Sequence, residues 1–215
     1  MIKSTLFATL VFLASVASAE PPAFDAELAA IQDAWATANY RSADESSRQK
    51  ALETLSHRSH AFAAAYPERA EALIWEGIVL STYAGAKGGL GALGLAKQSR
   101  AVLERAIALD PNALEGSAYT SLGALYAKVP HFPVGFGDDK KARECFLKAL
   151  AINPNGIDQN YFYADFLIEQ GKYAEANDFL DRALHASARP GREVADAGRR
   201  QEILALQARV RSKKG

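Results

Sequence analysis

The sequence predicts an all-α chain: a solenoid of stacked helical hairpins, with a helical extension before it and a capping helix after it. Three observations carry this. Residues 100–112 (RAVLERAIALDPN) recur as 143–155 (RECFLKALAINPN), so that Leu103, Ala106 and Pro111 return 43 positions later as Phe146, Ala149 and Pro154. A third copy of the helical part, 176–184 (ANDFLDRAL), follows after a step of 34. Periods of this size are the mark of stacked supersecondary units, each too small to bury its own apolar face. Almost every segment also places its apolar residues at steps of three and four, and Pro111 and Pro154 end helices where hairpins must turn.

The elements follow in order. Phe24, Leu28, Ile31 and Trp35 share one face of a first helix. Ser42-Ala-Asp-Glu45 has the pattern of a capping box and opens a helix running towards Tyr66-Pro67. Pro67 lies 44 residues before Pro111, so 20–67 is read as a helical extension or degenerate first repeat. The first full unit starts near Glu68, with Leu73, Ile74, Gly77, Leu80 and Tyr83 on its first helix and a second helix over 95–109. The second unit carries Tyr119, Leu122, Gly123, Leu125 and Tyr126, then a helix over 139–152. The third carries Tyr161, Tyr163, Ala164 and Leu167, then a helix to about residue 186. A capping helix and tail complete the chain over 191–215, with Ile203, Leu206 and Val210 on its packing side.

These residues resemble tetratricopeptide repeats over roughly 44–190, with three units in 68–190. Ala164, Leu167, Gly171, Tyr173, Ala176, Leu180 and Ala183 stand at that family's spacing; Gly123, Tyr126, Ala142, Phe146, Ala149 and Pro154 repeat it, as do Gly77, Leu80, Leu103, Ala106 and Pro111. Small residues let helices approach and bulky ones fill the gaps between them.

One departure stands out. The interval from Gly77 to Ala106, and that from Gly123 to Ala149, exceed the interval from Ala164 to Ala183 by ten and seven residues. Both insertions fall between the two helices of their hairpin and should emerge side by side on one edge. The first, 87–95, is expected to be an apolar Gly-rich loop. Its Gly89, Gly91 and Gly94 spell G-x-G-x-x-G, but a helix precedes them where a dinucleotide site needs a strand. The second, 128–139, is stiffened by Pro130 and Pro133 and projects His131, Phe132 and Phe136; Asp138 or Asp139 is placed to cap the next helix. It reads either as an ordered structural loop or as a wall of a recognition site. The two aspartates lack a full ligand set for a metal.

Composition bounds the function. With 25 basic and 25 acidic residues the chain has no formal net charge, and nothing suggests a nucleic-acid partner. Lys3, the apolar stretch 6–16 and Ala17-Ser-Ala19 before Glu20-Pro-Pro22 make 1–19 a secretory signal peptide cleaved after Ala19. The apolar stretch is too short to span a bilayer, so no stable membrane insertion is expected. The expected location is the periplasm. The single cysteine, Cys145, lies within a helix, which argues for a buried inert thiol, no intramolecular disulfide and no lipoprotein anchor.

Carried onto the first helix of each hairpin, the repeat register predicts a groove. Glu71, Ile74, Ile78, Ser81 and Thr82 line it first, then Ser117, Thr120, Ala124 and Lys128, then Asp158, Tyr161, Asp165 and Glu169. This mixture suits a peptide or a small hydrophobic ligand. His131, Phe132, Phe136, Asp138 and Asp139 of the second insertion are expected to adjoin it. His57 and His60 are three apart but have no third ligand, so no metal site is expected. No cofactor motif and no catalytic pattern stands out, and the chain is read as a non-enzyme. The C-terminal arginines Arg189, Arg192, Arg199 and Arg200, with Arg209 and Arg211, are read as a solvated capping helix, with an acidic partner as the alternative. An exported helical-repeat chain with insert-bearing repeats resembles the T-component of tripartite ATP-independent periplasmic (TRAP) transporters. That resemblance implies pairing with a periplasmic solute-binding protein and a hydrophobic ligand. The other reading is a peptide-holding assembly factor of the cell envelope.

Overall fold

The computed structural model describes residues 23–213, so the signal peptide 1–19 and its cleavage site lie outside the described residues. The described residues form nine α-helices and no strand: α1 Ala23–Tyr40, α2 Glu45–Ala65, α3 Ala70–Lys87, α4 Gly89–Leu109, α5 Ala113–Lys128, α6 Asp139–Ile152, α7 Ile157–Glu169, α8 Tyr173–Leu184 and α9 Glu193–Ser212. Helices α3 and α4, α5 and α6, and α7 and α8 pack as three successive hairpins, preceded by α1 and α2 and followed by α9.

The repeat positions are the core positions. Leu103, Phe146 and Leu180 are fully buried, and so are Ala106, Ala149 and Ala183 one turn further along their helices. In the first two hairpins the bulky residue meets a small one on the partner helix. A Cβ placed on Gly77 would lie 2.6 Å from Leu103 Cγ, and one on Gly123 would lie 2.8 Å from the Phe146 ring. These contacts set the spacing of both hairpins, because a packed interior has no slack for another methyl group.

Two local expectations are corrected. Helix α2 is capped by Asp44, whose carboxylate accepts from Ser47 N at 2.7 Å, while the Ser42 hydroxyl turns back to Ala38 O at 2.8 Å. The Ser42–Glu45 capping box therefore does not form. The first insertion is not a loop. Helix α3 runs to Lys87 and α4 starts at Gly89, leaving only Gly88 between them. Gly88 and Gly89 both have φ near +60° and reverse the chain within one step, which side chains rarely permit. Beyond them the small apolar residues continue at helical spacing, so the extra residues lengthen the hairpin. Helices α3 and α4 have 18 and 21 residues, against 13 and 12 for α7 and α8.

The stack also closes on itself. Helix α9 packs against both α7 and α1. The Tyr40 ring sits so tightly on Gly198 that a Cβ there would come within 2.3 Å of it, and the Tyr40 hydroxyl donates to Glu202 at 3.3 Å. The helical extension and the capping helix thus meet each other as well as flanking the repeats.

The glycines give a test with opposite signs. Gly85 lies in α3 with no atom within 4 Å of where a Cβ would stand. Gly85→Ala is expected to stabilise the protein by about 0.5–1 kcal/mol through helix propensity. Gly123→Ala gains the same propensity but presses on Phe146, and Gly123→Leu should cost about 1–3 kcal/mol through overpacking. Thermal melting should rise for the first variant and fall for the last.

Candidate ligand-binding cleft

Helices α3, α5 and α7 are the first helices of their hairpins, and their shared face lines a cleft of about 750 Å³. That volume lies within the range of sites that enclose a small organic molecule, about 300–1,000 Å³. Trp75, Ile78, Ser81, Thr82 and Gly85 line it from α3. From α5 come Leu114, Ser117, Thr120, Ser121, Ala124 and Lys128, and from α7 Asp158, Gln159 and Phe162. Gln32 and Trp35 reach it from α1, and Arg189, Arg192 and Arg199 from the start of α9 and the turn before it. Along α3, the ten steps from Trp75 to Gly85 give the cleft a length of about 15 Å.

The groove expectation is met in part. Ile78, Ser81, Thr82, Ser117, Thr120, Ala124, Lys128 and Asp158 line the cleft. Ile74 does not; it points into the core and is fully buried. Glu71 lies aside, bound by Arg69 at 3.2 Å. Asp165 is held by Lys128 at 2.6 Å, and Glu169 also bonds that ammonium. Burial alone would lower the Lys128 pKa; the two carboxylates outweigh it and raise the pKa above the ordinary lysine value. Tyr161 lies beneath the Arg199 guanidinium, 4.2 Å from its ring, and burial pushes its hydroxyl up to about 12.

The inserted segments meet at the cleft through other residues than those expected. Gly89, Ala92 and Leu93 of the lengthened α4 line it, and so do Val129, Pro130 and Val134 of the 128–139 loop. The loop is tied down by Gly137 N donating to Pro130 O at 3.0 Å and Asp138 N donating to Tyr126 O at 2.9 Å. Its named polar and aromatic residues are occupied elsewhere. Asp138 caps α6 by accepting from Lys140 N and Lys141 N, both at 3.0 Å. Asp139 accepts from Gln170 at 3.0 Å and lies 3.4 Å from His131. Phe136 packs edge-on against Tyr126 at 5.8 Å, with the Arg100 guanidinium 4.4 Å from its ring. Phe132 stands at the tip, 88 % exposed, away from the cleft.

The cleft's aromatic and arginine end was not anticipated. Trp35 and Trp75, the only tryptophans, meet edge-on at 5.9 Å, and Trp35 Nε1 donates to Thr82 Oγ1 at 2.9 Å. Of the C-terminal arginines, Arg209 and Arg211 are exposed on α9, whereas Arg189, Arg192 and Arg199 turn to the cleft. Arg199 is buried; it donates from Nε to Asp158 at 2.8 Å and from Nη1 to Glu202 at 2.6 Å. Arg189 donates to Asp158 at 2.7 Å and to the buried Asp196 at 2.8 Å. Only the fold reveals this pairing, because Asp158 is 31 residues from one arginine and 41 from the other. The α5 entrance is unusual too. Leu114 and Glu115 have φ of +46° and +57°, a conformation costing on the order of 1–3 kcal/mol per residue. Gln159 holds the Glu115 carbonyl at 2.8 Å and Asn153 its carboxylate at 2.6 Å, so α7 and the end of α6 keep this turn at the cleft rim.

Among the described residues no group of three or more His, Cys, Asp and Glu side chains is placed to hold a metal ion. His60 Nδ1 lies 2.6 Å from the buried carboxylate of Glu76. Burial pushes the Cys145 thiol up to about 11, away from the thiolate form a nucleophile needs.

The tetratricopeptide-repeat family model matches residues 135–155, which are the end of the loop, α6 and Pro154. The fold is that of a tetratricopeptide-repeat (TPR) protein. A thermophilic TPR protein from Thermus thermophilus superposes with a TM-score of 0.55 at 16% identity, covering 85% of this chain and 91% of that one. No curated protein matches the chain. In the TPR arrangement α3, α5 and α7 are the first helices of the three units, so the cleft lies on the face the repeats share.

Asp158 gives a pH test. Burial works to raise its carboxyl, but Arg199 and Arg189 outweigh burial and hold it at about 2, against an ordinary 3.8. A depressed carboxylate contributes stability that is complete above its unfolded pKa and is lost as pH falls through its folded pKa. The contribution is on the order of 2 kcal/mol. The stability difference between the unaltered protein and Asp158→Asn should therefore hold steady at pH 5–7 and shrink between pH 4 and 2, measured by denaturant titration at each pH.

Proposed function

We propose that this is a non-catalytic exported TPR protein that holds a small hydrophobic ligand in the cleft between α3, α5 and α7. The observation that carries the reading is the cleft itself: a space of about 750 Å³ walled mainly by apolar groups and bounded by α1 and the start of α9. A stack whose ends meet offers a bounded chamber. An extended peptide suits an open superhelical groove better. Export rests on the residue pattern of 1–19, with the periplasm as the destination. The layout resembles the T-component of TRAP transporters, and a periplasmic solute-binding protein is the partner that this resemblance implies.

A second reading, a scaffold for a partner protein in the cell envelope, is favoured by one observation. Phe132 and Val134 stand 88 % and 68 % exposed on a loop that the backbone holds in place. An ordered loop presenting an apolar tip loses little entropy on docking. Val134 also lines the cleft, so ligand and partner would meet there.

The two tryptophans make the test direct. Uncharged methyl dodecanoate should change tryptophan emission on binding. Ala124→Trp, which fills the cleft from α5, should weaken that binding at least ten-fold while far-ultraviolet circular dichroism stays the same. Phe132→Ala should leave ligand affinity within two-fold and reduce capture of a partner protein. A ligand titration without saturable signal, together with a partner lost on Phe132→Ala, would replace the first reading by the second.

A further inference from the structure

One guanidinium at the cleft has no carboxylate in hydrogen-bonding contact among the described residues. Of the arginines at the start of α9, Arg189 is satisfied by Asp158 and Asp196, and Arg199 by Asp158 and Glu202. Arg200 lies 4.0 Å from Asp196. Arg192 lines the cleft beside them, yet no carboxylate among the described residues comes within 4.0 Å of its guanidinium. Its contact is the Trp75 ring, 4.9 Å away. Asp158, Asp196 and Asp33 act on it only from beyond that distance, and both oxygens of Asp158 and of Asp196 already accept hydrogen bonds from other groups. Burial, and Arg189 next to it, pull the Arg192 pKa below the ordinary arginine value, and Asp158, Asp196 and Asp33 offset only part of this.

Two further polar groups in the same walls are also unsatisfied. Trp75 Nε1 and Thr120 Oγ1 are buried without a hydrogen-bond partner among the described residues, on side chains that line the cleft. A buried donor left unpaired costs about 1–3 kcal/mol, and a buried charge costs more.

Trp75 stands near the start of α3, and Leu114 and Asp158 near the starts of α5 and α7. The arginines therefore gather at one end of the cleft. At the other end lie Ala92, Leu93, Val129, Pro130 and Val134, and the charge lining that end, Lys128, is already bound by Asp165 and Glu169. Among the described residues the cleft is polarised: a guanidinium without a hydrogen-bonded carboxylate at one end, an apolar wall at the other.

We infer that the cleft binds an amphiphilic monocarboxylate, its carboxylate on Arg192 and its aliphatic body along α3 and α5 towards Val129–Val134. This rests on the small-ligand reading above and names the class of ligand. A guanidinium pairs with a carboxylate through two parallel N–H···O bonds, and the indole beneath it holds the guanidinium in place. One guanidinium without a hydrogen-bonded carboxylate suits a monoanion; the second negative charge of a phosphate dianion would be repelled by Asp158, Asp196 and Asp33 nearby.

The test compares dodecanoate with methyl dodecanoate by titration calorimetry on the mature chain, on Arg192→Met and on Arg192→Lys. On the unaltered chain dodecanoate should bind at least ten-fold tighter than its methyl ester. Arg192→Met should abolish that difference without weakening the ester more than two-fold, and Arg192→Lys should keep part of it. Equal binding of acid and ester to the unaltered chain overturns the anion site and leaves the hydrophobic-ligand reading standing. A preference for the acid that survives in Arg192→Met overturns the placement of the carboxylate. Binding of neither compound overturns both this inference and the reading beneath it. The acid-to-ester ratio on the unaltered chain decides the main point even if a variant fails to fold.

Discussion

Asp158 sits between Arg189 and Arg199 at the start of the third repeat, with its two oxygens at 2.7 and 2.8 Å from them. This pairing fastens α9 to α7. Arg199 continues it by stacking on Tyr161 and Phe162 and bonding Glu202, and Glu202 accepts from Tyr40 of α1. One carboxylate therefore links the last repeat, the capping helix and the first helix. Buried ion pairs add little over an apolar substitute, but removing one partner strands the other and costs about 3–5 kcal/mol. The arrangement is better understood as fixing where α9 lies than as a large source of stability.

The position of α9 decides the shape of the cleft. Three hairpins alone would present an open concave face. With α9 docked across α7 and α1, that face gains an aromatic and arginine end wall, and the cleft becomes a bounded space. The lengthened α4 and the 128–139 loop close the far side with small apolar residues. The strained turn at Leu114 and Glu115 belongs to the same design, since Gln159 and Asn153 restrain it at the rim. Most side chains at the arginine end are hydrogen-bonded to one another, which makes the Arg192 guanidinium, resting on the Trp75 ring, the place where a ligand has something to add.

Part of this was legible in the chain. Leu103 with Ala106, Phe146 with Ala149 and Leu180 with Ala183 declare the repeat, because a helix shows its buried face through residues three apart. Eight of the groove positions followed from that register. Ile74 and Glu71 did not, since one residue of drift along α3 rotates a side chain by about 100° and moves it from cleft to core or rim. The first insertion was misread because glycines signal loops, whereas Gly88 and Gly89 make a one-step reversal and the glycines after them lie within α4. The second insertion does form a loop at the cleft, but which of its side chains turn inward depends on the loop's own hydrogen bonds.

By itself the sequence determined most of the helices, the hairpin repeat and its small and bulky packing positions, among them Gly77, Leu103, Gly123 and Phe146. Those features depend on residues close along the helix or on one repeated pattern. Only the tertiary structure decided that the two ends of the stack meet, that Asp158 binds Arg189 and Arg199, and that Arg192 lines the cleft without a carboxylate in hydrogen-bonding contact among the described residues. Ion pairing and burial at long separation depend on the summed turn of every hairpin between the partners. No local pattern encodes that sum, so an arginine destined for the interior reads in the chain like one destined for water.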